Sequence, residues 1–132
     1  MQPKKILLAE DDQDDQDFFK FFLQGRQDVV LLSAVENGEE LFTYLESTTN
    51  HTALPDAIIL DQNMPKRNGL QTLALLKESH AYAHIPVMVY STYADATLVQ
   101  RSTALGAALV LAKPLNTEGY HEMIDELFKV IS

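Results

Sequence analysis

Residues 57–65 read Ala-Ile-Ile-Leu-Asp-Gln-Asn-Met-Pro, a run of apolar side chains that breaks off at Asp61. So short and continuous an apolar run, closed by polar residues and a proline, is the pattern of a strand buried on both faces. The same pattern recurs at 6–9, 29–34, 87–90 and 107–112. Between these runs the apolar residues take helical spacing. Phe18, Phe19, Phe22 and Leu23 share one stripe, Leu41, Tyr44 and Leu45 a second, and Leu70, Leu73 and Leu76 with Lys77 a third. Tyr120, Met123, Ile124, Leu127, Phe128 and Ile131 form the clearest stripe, an amphipathic helix that closes the chain. The segment 96–105 is the weakest, with Leu98, Val99 and Leu105 its only large apolar residues.

Start and stop signals fit this reading. Asn37 followed by Glu40 reads as a capping box, and Asn68 and Asn116 precede the third and last helical stretches. Gly25 and Gly106 follow the ends of two others. Strand and helix alternate five times, which predicts an α/β fold with a parallel sheet covered on both sides. The one long irregular stretch is the loop 47–55. With no repeat, low-complexity tract or linker, a single domain over residues 1–132 is expected, with no output domain.

Composition narrows the function. The 132 residues include 10 Lys and Arg against 19 Asp and Glu, a formal net charge of −9. So negative a surface repels phosphate backbones and anionic lipid heads, which argues against direct nucleic-acid or membrane binding. Cysteine is absent, which excludes disulfides, thiolate metal sites and cysteine nucleophiles. No apolar run approaches the ~18 residues of a membrane span, and 6–9 is too short for a signal-peptide core. The expectation is a soluble, cytoplasmic protein. His51, His80, His84 and His121 are scattered without ligand spacing and read as surface or loop residues.

In open parallel sheets ligands sit outside the carboxyl ends of the strands, so the residues just after each apolar run carry the information. They are Glu10, Asp11 and Asp12 after the first, Asp61 after the third, Ser91 after the fourth, and Lys113, followed by Pro114, after the fifth. Crowded carboxylates resist ionising together. A divalent cation removes the conflict, and Mg²⁺, which takes oxygen ligands and keeps several waters, suits them. The ammonium of Lys113 can hold a phosphoryl oxygen as a point charge. An aspartate beside Mg²⁺, a lysine and a hydroxyl is equipped to attack phosphorus, since phosphoryl transfer asks mainly for positioning and charge neutralisation. Taken singly, the residues have plainer readings: 10–17 as a solvated helix start, Asp61 as a turn residue, Ser91 as a cap, Lys113 as surface charge. Four strand ends supplying complementary groups at one rim is the stronger pattern.

These residues resemble the response-regulator receiver family, typified by the bacterial chemotaxis regulator, over essentially the whole chain. Residues 6–12 resemble its first strand and acidic pair. Asp61-Gln62-Asn63-Met64-Pro65, with Gly69 beyond, resembles its phosphoacceptor strand and following loop. Ser91 stands where the family has a Ser or Thr, and Gly106-Ala107 leading to Lys113-Pro114 resembles the fifth strand and its lysine. The resemblance implies a doubly wound five-stranded parallel sheet of flavodoxin-like order 2-1-3-4-5 with five helices. It implies a phosphoacceptor at Asp61, and Mg²⁺ bound by Asp11, by Glu10 largely through water, by Asp61 and by the backbone carbonyl of Asn63. Lys113 would pair with Asp61 at rest and with the phosphoryl group afterwards, through a cis Lys113–Pro114 bond. Ser91 would swing inward as the switch, and Asp12 would be solvated. The implied partners are a histidine kinase or phosphotransfer protein and an unidentified downstream protein. The usual signalling surface, and a frequent homodimer contact, is the face of the fourth helix, fifth strand and last helix, where Leu98, Val110 and the outer side of 118–129 fall.

The sequence departs from the family at Val110, where an aromatic residue usually reads out the hydroxyl's movement; Tyr90 and Tyr93 are the candidate substitutes. Thr92 and Tyr93 place bulk beside the site, where it would slow entry of small phosphodonors. The long loop 47–55 resembles stand-alone receivers that serve phytochrome-type histidine kinases. Two other readings compete. A haloacid-dehalogenase-type phosphatase would carry its nucleophile after the first strand with a second Asp two residues on, where this chain has Asn63. A degenerate receiver would serve as an interaction module without phosphorylation, a reading kept open by Val110. A flavodoxin-like flavin site would need a Ser/Thr/Gly-rich phosphate loop where Glu10-Asp11-Asp12 stand, and paired-carboxylate glycosidase chemistry has no place for the lysine.

Overall fold

The structure is a computed structural model and describes residues 2–48 and 53–131. Ten elements alternate along the chain: β1 (Lys4–Ala9), α1 (Gln13–Phe22), β2 (Val29–Leu31), α2 (Gly38–Glu46), β3 (Ala57–Asp61), α3 (Gly69–Glu78), β4 (Val87–Ser91), α4 (Ala96–Ala104), β5 (Leu109–Ala112) and α5 (Thr117–Val130). All strands are parallel, in the order β2-β1-β3-β4-β5. The expected α/β class and strand order are those observed.

Alternation along each strand divides the core in two. Leu7, Ala9, Ile58, Leu60, Val87 and Val89 face α2, α3 and α4. Ile6, Leu8, Ile59, Met88 and Tyr90 face α1 and α5, where they meet Phe19, Tyr120 and Leu127. β3 and β4 are buried throughout, as their continuous apolar runs require. The two edge strands differ from expectation. The 29–34 run yields a strand of only three residues, the 107–112 run one of four, and both are partly exposed. An edge strand has one neighbour to pair with and one flank open to water, so its apolar run outlasts its ladder.

Polar caps fix the helix starts. Asn37, Asn68 and Asn116 each accept a backbone N–H from the first turn, as do Asp12 and Asp95. The complete capping box is Asn68 with Gln71; Glu40 instead accepts the backbone N–H of Glu36, so the box expected at Asn37 is only half formed. Gly106, at a φ of 103°, ends α4 in a Schellman turn, with its N–H on Thr103 and that of Ala107 on Ser102. Two helix faces are rotated from expectation. Phe18 is 45% exposed, and Leu98 is buried at 8%, so Val99 rather than Leu98 reaches the surface of α4. The middle of the 47–55 loop and His51 lie outside the described residues. No helix among the described residues is long and apolar enough to cross a membrane.

Candidate functional site

The strand order places the site. β1 has β2 on one side and β3 on the other, so the chain departs in opposite directions from this pair and leaves a crevice at their carboxyl ends. Glu10 and Asp11 follow β1, and Asp61 is the last residue of β3. One carboxylate oxygen from each lies within 4.8 Å of the others. Glu10 and Asp61 are buried and Asp11 is exposed.

Donors hold these groups in place. Glu10 accepts the hydroxyl of Tyr90 at Oε1, which also lies 3.1 Å from the ammonium of Lys113, and the backbone N–H of Asp12 (3.2 Å) at Oε2. Its carbonyl accepts the Gln16 amide at 2.6 Å. Asp61 Oδ1 accepts the backbone N–H of Asn63 (3.3 Å) and lies 3.4 Å from Lys113 Nζ. Lys113 makes its shortest contact with Asp15 Oδ2, at 2.8 Å. Ser91, buried at the end of β4, accepts the backbone N–H of Tyr93 on Oγ (3.3 Å), and its carbonyl accepts the N–H of Lys113 (2.8 Å). Asn63 is exposed in the loop after β3. The loop is closed by Gln62, whose carbonyl accepts the N–H of Gly69 and whose side chain accepts that of Leu70.

The electrostatics follow from burial and crowding. Burial, then the hydrogen bond with Glu10 and its charge, push the Asp61 carboxyl up to about 8, against the opposing pull of Lys113 and the Asn63 N–H. Burial alone would lower Lys113, but the bond to Asp15 and the charges of Asp61 and Glu10 outweigh it and raise the ammonium above its usual range. Tyr90 is held far above the ordinary phenol range by burial and by Glu10. A carboxyl that keeps its proton beside another carboxylate is a site short of positive charge. Its donors are all hard oxygens, and exposed Asp11 leaves room for water, so the residues fit a Mg²⁺-type cation.

The fold thus brings Glu10, Asp11, Asp61 and Lys113 together, with Ser91 on the adjoining strand. Several expectations are corrected. No peptide bond among the described residues is cis; Lys113–Pro114 takes the trans form that X-Pro bonds prefer, and Nζ still reaches Asp61. Lys113 does not pair with Asp61 alone but is shared among three carboxylates. Asp12 is exposed, as expected, but it caps α1 by accepting the N–H of Asp15. Asp15, read as part of a solvated helix start, is half-buried and bound to Lys113. Val110 packs on the α2–α4 face of the sheet, whereas Tyr90 lies on the α1–α5 face with its hydroxyl on Glu10. Tyr90 thus lies on the opposite face of the sheet from position 110, and Tyr93, 76% exposed, is packed into neither core. The Tyr90–Glu10 contact had one sequence signal, a tyrosine closing an otherwise aliphatic strand.

Residues 6–125 match the response regulator receiver domain family. Among solved structures, the phosphorylated cyanobacterial phytochrome response regulator RcpA is 26% identical, with a TM-score of 0.79 over 98% of this chain and 94% of its own. The Mn²⁺-bound response regulator Rcp1 is 28% identical, with a TM-score of 0.78 over 95% and 91%. Among curated relatives, hybrid signal transduction histidine kinase I of Dictyostelium discoideum is 26% identical over 95% of this chain and 7% of its own length. The chain spans between 7% and 53% of the length of the first curated relatives it matches. With its family match, its strand order and an acidic pocket at the β1–β3 crevice, the chain belongs to the response regulator receiver domain family of two-component systems.

Proposed function

We propose that the protein is a phosphorelay receiver that takes a phosphoryl group from a histidine kinase or phosphotransfer protein onto Asp61. The observation that carries this reading is the convergence of Glu10, Asp11, Asp61 and Lys113 on the end of β3, with Lys113 Nζ 3.4 Å from Asp61. An oxygen of Asp61 attacks phosphorus as the P–N bond to the donor imidazole breaks. The leaving nitrogen keeps the electron pair and is protonated by solvent. Glu10, Asp11, Asp61 and the backbone carbonyl of Asn63 would hold Mg²⁺, which when bound neutralises the carboxylates and the incoming phosphoryl charge. Lys113 supplies the remaining positive charge, and the Ser91 hydroxyl donates to a phosphoryl oxygen.

The kinase as donor is supported by the similarity to a hybrid histidine kinase, and a divalent cation by the Mn²⁺-bound relative. The likeness to RcpA, a phytochrome response regulator, favours a phytochrome-type kinase as the donor, and a cytoplasmic location is part of the same proposal. The face of α4, β5 and α5, with its half-exposed edge strand, is the surface offered to a downstream partner or to a second copy. Incubation with acetyl phosphate and Mg²⁺ followed by intact-mass measurement tests the reading. One added phosphoryl group, labile to hydroxylamine and absent from Asp61→Asn or without Mg²⁺, is expected. If acetyl phosphate leaves the wild type unmodified, transfer from a phosphorylated kinase decides, and failure there would leave a module that works without phosphorylation. Sustained turnover of p-nitrophenyl phosphate would instead indicate a phosphatase.

A further inference from the structure

Lys113 has three ammonium protons and three carboxylates around it: Asp15 at 2.8 Å, Glu10 at 3.1 Å and Asp61 at 3.4 Å. Of these, Asp15 is the one hydrogen-bonded to the ammonium, whereas Glu10 and Asp61 are ion-pair neighbours, so closing of the ammonium on a phosphoryl group at Asp61 is opposed by the bond to Asp15. Asp61 is the group being modified. The Glu10 side chain is fully buried and is held by the Tyr90 hydroxyl and the Asp12 N–H whatever Lys113 does. The Asp15 side chain is 23% exposed at the first turn of α1, where water and the helix N-terminus can take over its charge. The backbone at Asp15 is anchored independently of Lys113, because its N–H is bound by the Asp12 cap.

We propose that Asp15 is a positioning residue that holds the Lys113 ammonium back from Asp61, so that capture of a phosphoryl group requires release of the Asp15–Lys113 pair. The proposal rests on the phosphoacceptor reading above and adds a control on its rate. A cavity of about 330 Å³, lined by Asp15, Phe18, Thr92, Lys113, Leu115 and Tyr120 among others, lies where the pair separates, giving the released carboxylate and its water somewhere to go. The same cavity joins α1 to Thr92, the neighbour of Ser91.

Asp15→Asn keeps the shape and the backbone N–H that Asp12 binds, and removes only the charge. With acetyl phosphate and saturating Mg²⁺ the variant should reach a maximal phosphorylation rate roughly three- to tenfold above wild type, the size of effect a partly exposed ion pair supports. The donor concentration at half-maximal rate and the Mg²⁺ affinity should both change less than about twofold on the same reasoning. Asp15→Glu, which restores the charge, should return the rate towards wild type, which a purely structural role for position 15 would not produce. Equal maximal rates in wild type and Asp15→Asn, or a gain confined to the half-saturating concentration, would overturn the proposal while leaving the phosphoacceptor reading intact. Absence of transfer to the wild type from any donor would remove that reading and the proposal with it.

Discussion

Tyr90 of β4 donates its hydroxyl to Oε1 of Glu10, which follows β1, so the bond reaches across the intervening strand β3. The ring is fully buried and meets Phe19 edge-on at 5.5 Å, so packing fixes where the hydroxyl points. Tyr90→Phe keeps the packing and deletes the bond. It should lower the stability of the metal-free protein by about 1.5–3 kcal/mol, the usual loss for a hydrogen bond to a buried charged group. Urea titration checks this, with an unchanged m-value showing that the fold has not loosened.

Much of this arrangement is legible in the sequence, for a geometric reason. A parallel sheet delivers all its carboxyl ends to one rim, so the residues that follow its apolar runs are neighbours whatever their separation along the chain. Glu10, Asp11, Asp61, Ser91 and Lys113 are found that way. Asp15 and Tyr90 are not, because their contacts depend on how far a side chain reaches and on which face of helix or sheet it leaves from. The burial of Leu98 in place of Val99 has the same origin, since a short helix with few apolar residues leaves its own rotation undetermined. The lengths of β2 and β5 depend on having a neighbour to pair with, which local composition does not encode.

Metal-free stability should depend on pH through Asp61. Its carboxyl is raised in the folded state from 3.8 to about 8, so between those values the folded chain holds a proton that the unfolded chain has lost. Stability from this group is fully present below about 3.8 and is lost as pH rises through about 8. Thermal melts from pH 5 to pH 8.5 in chelator should therefore show a falling Tm for wild type and a flatter profile for Asp61→Asn. At the alkaline end the variant should be more stable, by on the order of 2 kcal/mol, because it buries no extra charge. Mg²⁺ should reverse that order by stabilising wild type alone.

Away from the site, Arg26, in the loop between α1 and β2, ties that loop to α5. Its guanidinium gives Asp28 two bonds, at 2.9 and 2.7 Å, and Asp125 one at 2.9 Å, while lying 5.6 Å from the Phe128 ring centre. Lysine carries the charge but cannot reproduce the fork or the flat stacking surface. Arg26→Lys should cost about 1 kcal/mol in denaturant titrations and leave the phosphorylation rate at Asp61 unchanged, because none of these contacts reaches the crevice.

Gly69 opens α3 directly against the end of β3. A Cβ there would stand 2.8 Å from the carbonyl oxygen of Asp61 and 2.9 Å from Cα of Gln62. Both are backbone atoms of the segment that positions the proposed phosphoacceptor, so neither can swing aside as a side chain would. Gly69→Ala must therefore push α3 and the end of β3 apart, with an expected loss of about 1–3 kcal/mol and weaker Mg²⁺ binding. Gly25→Ala is the control: a Cβ there meets nothing within 4 Å, but the residue sits at a φ of 90°. It should cost a comparable ~1–2 kcal/mol through backbone strain alone while leaving Mg²⁺ affinity untouched. Equal stability losses with unequal metal affinities would separate displacement of Asp61 from general destabilisation. Identical metal affinities in the two variants would mean that the contact of Gly69 with Asp61 has no bearing on the site.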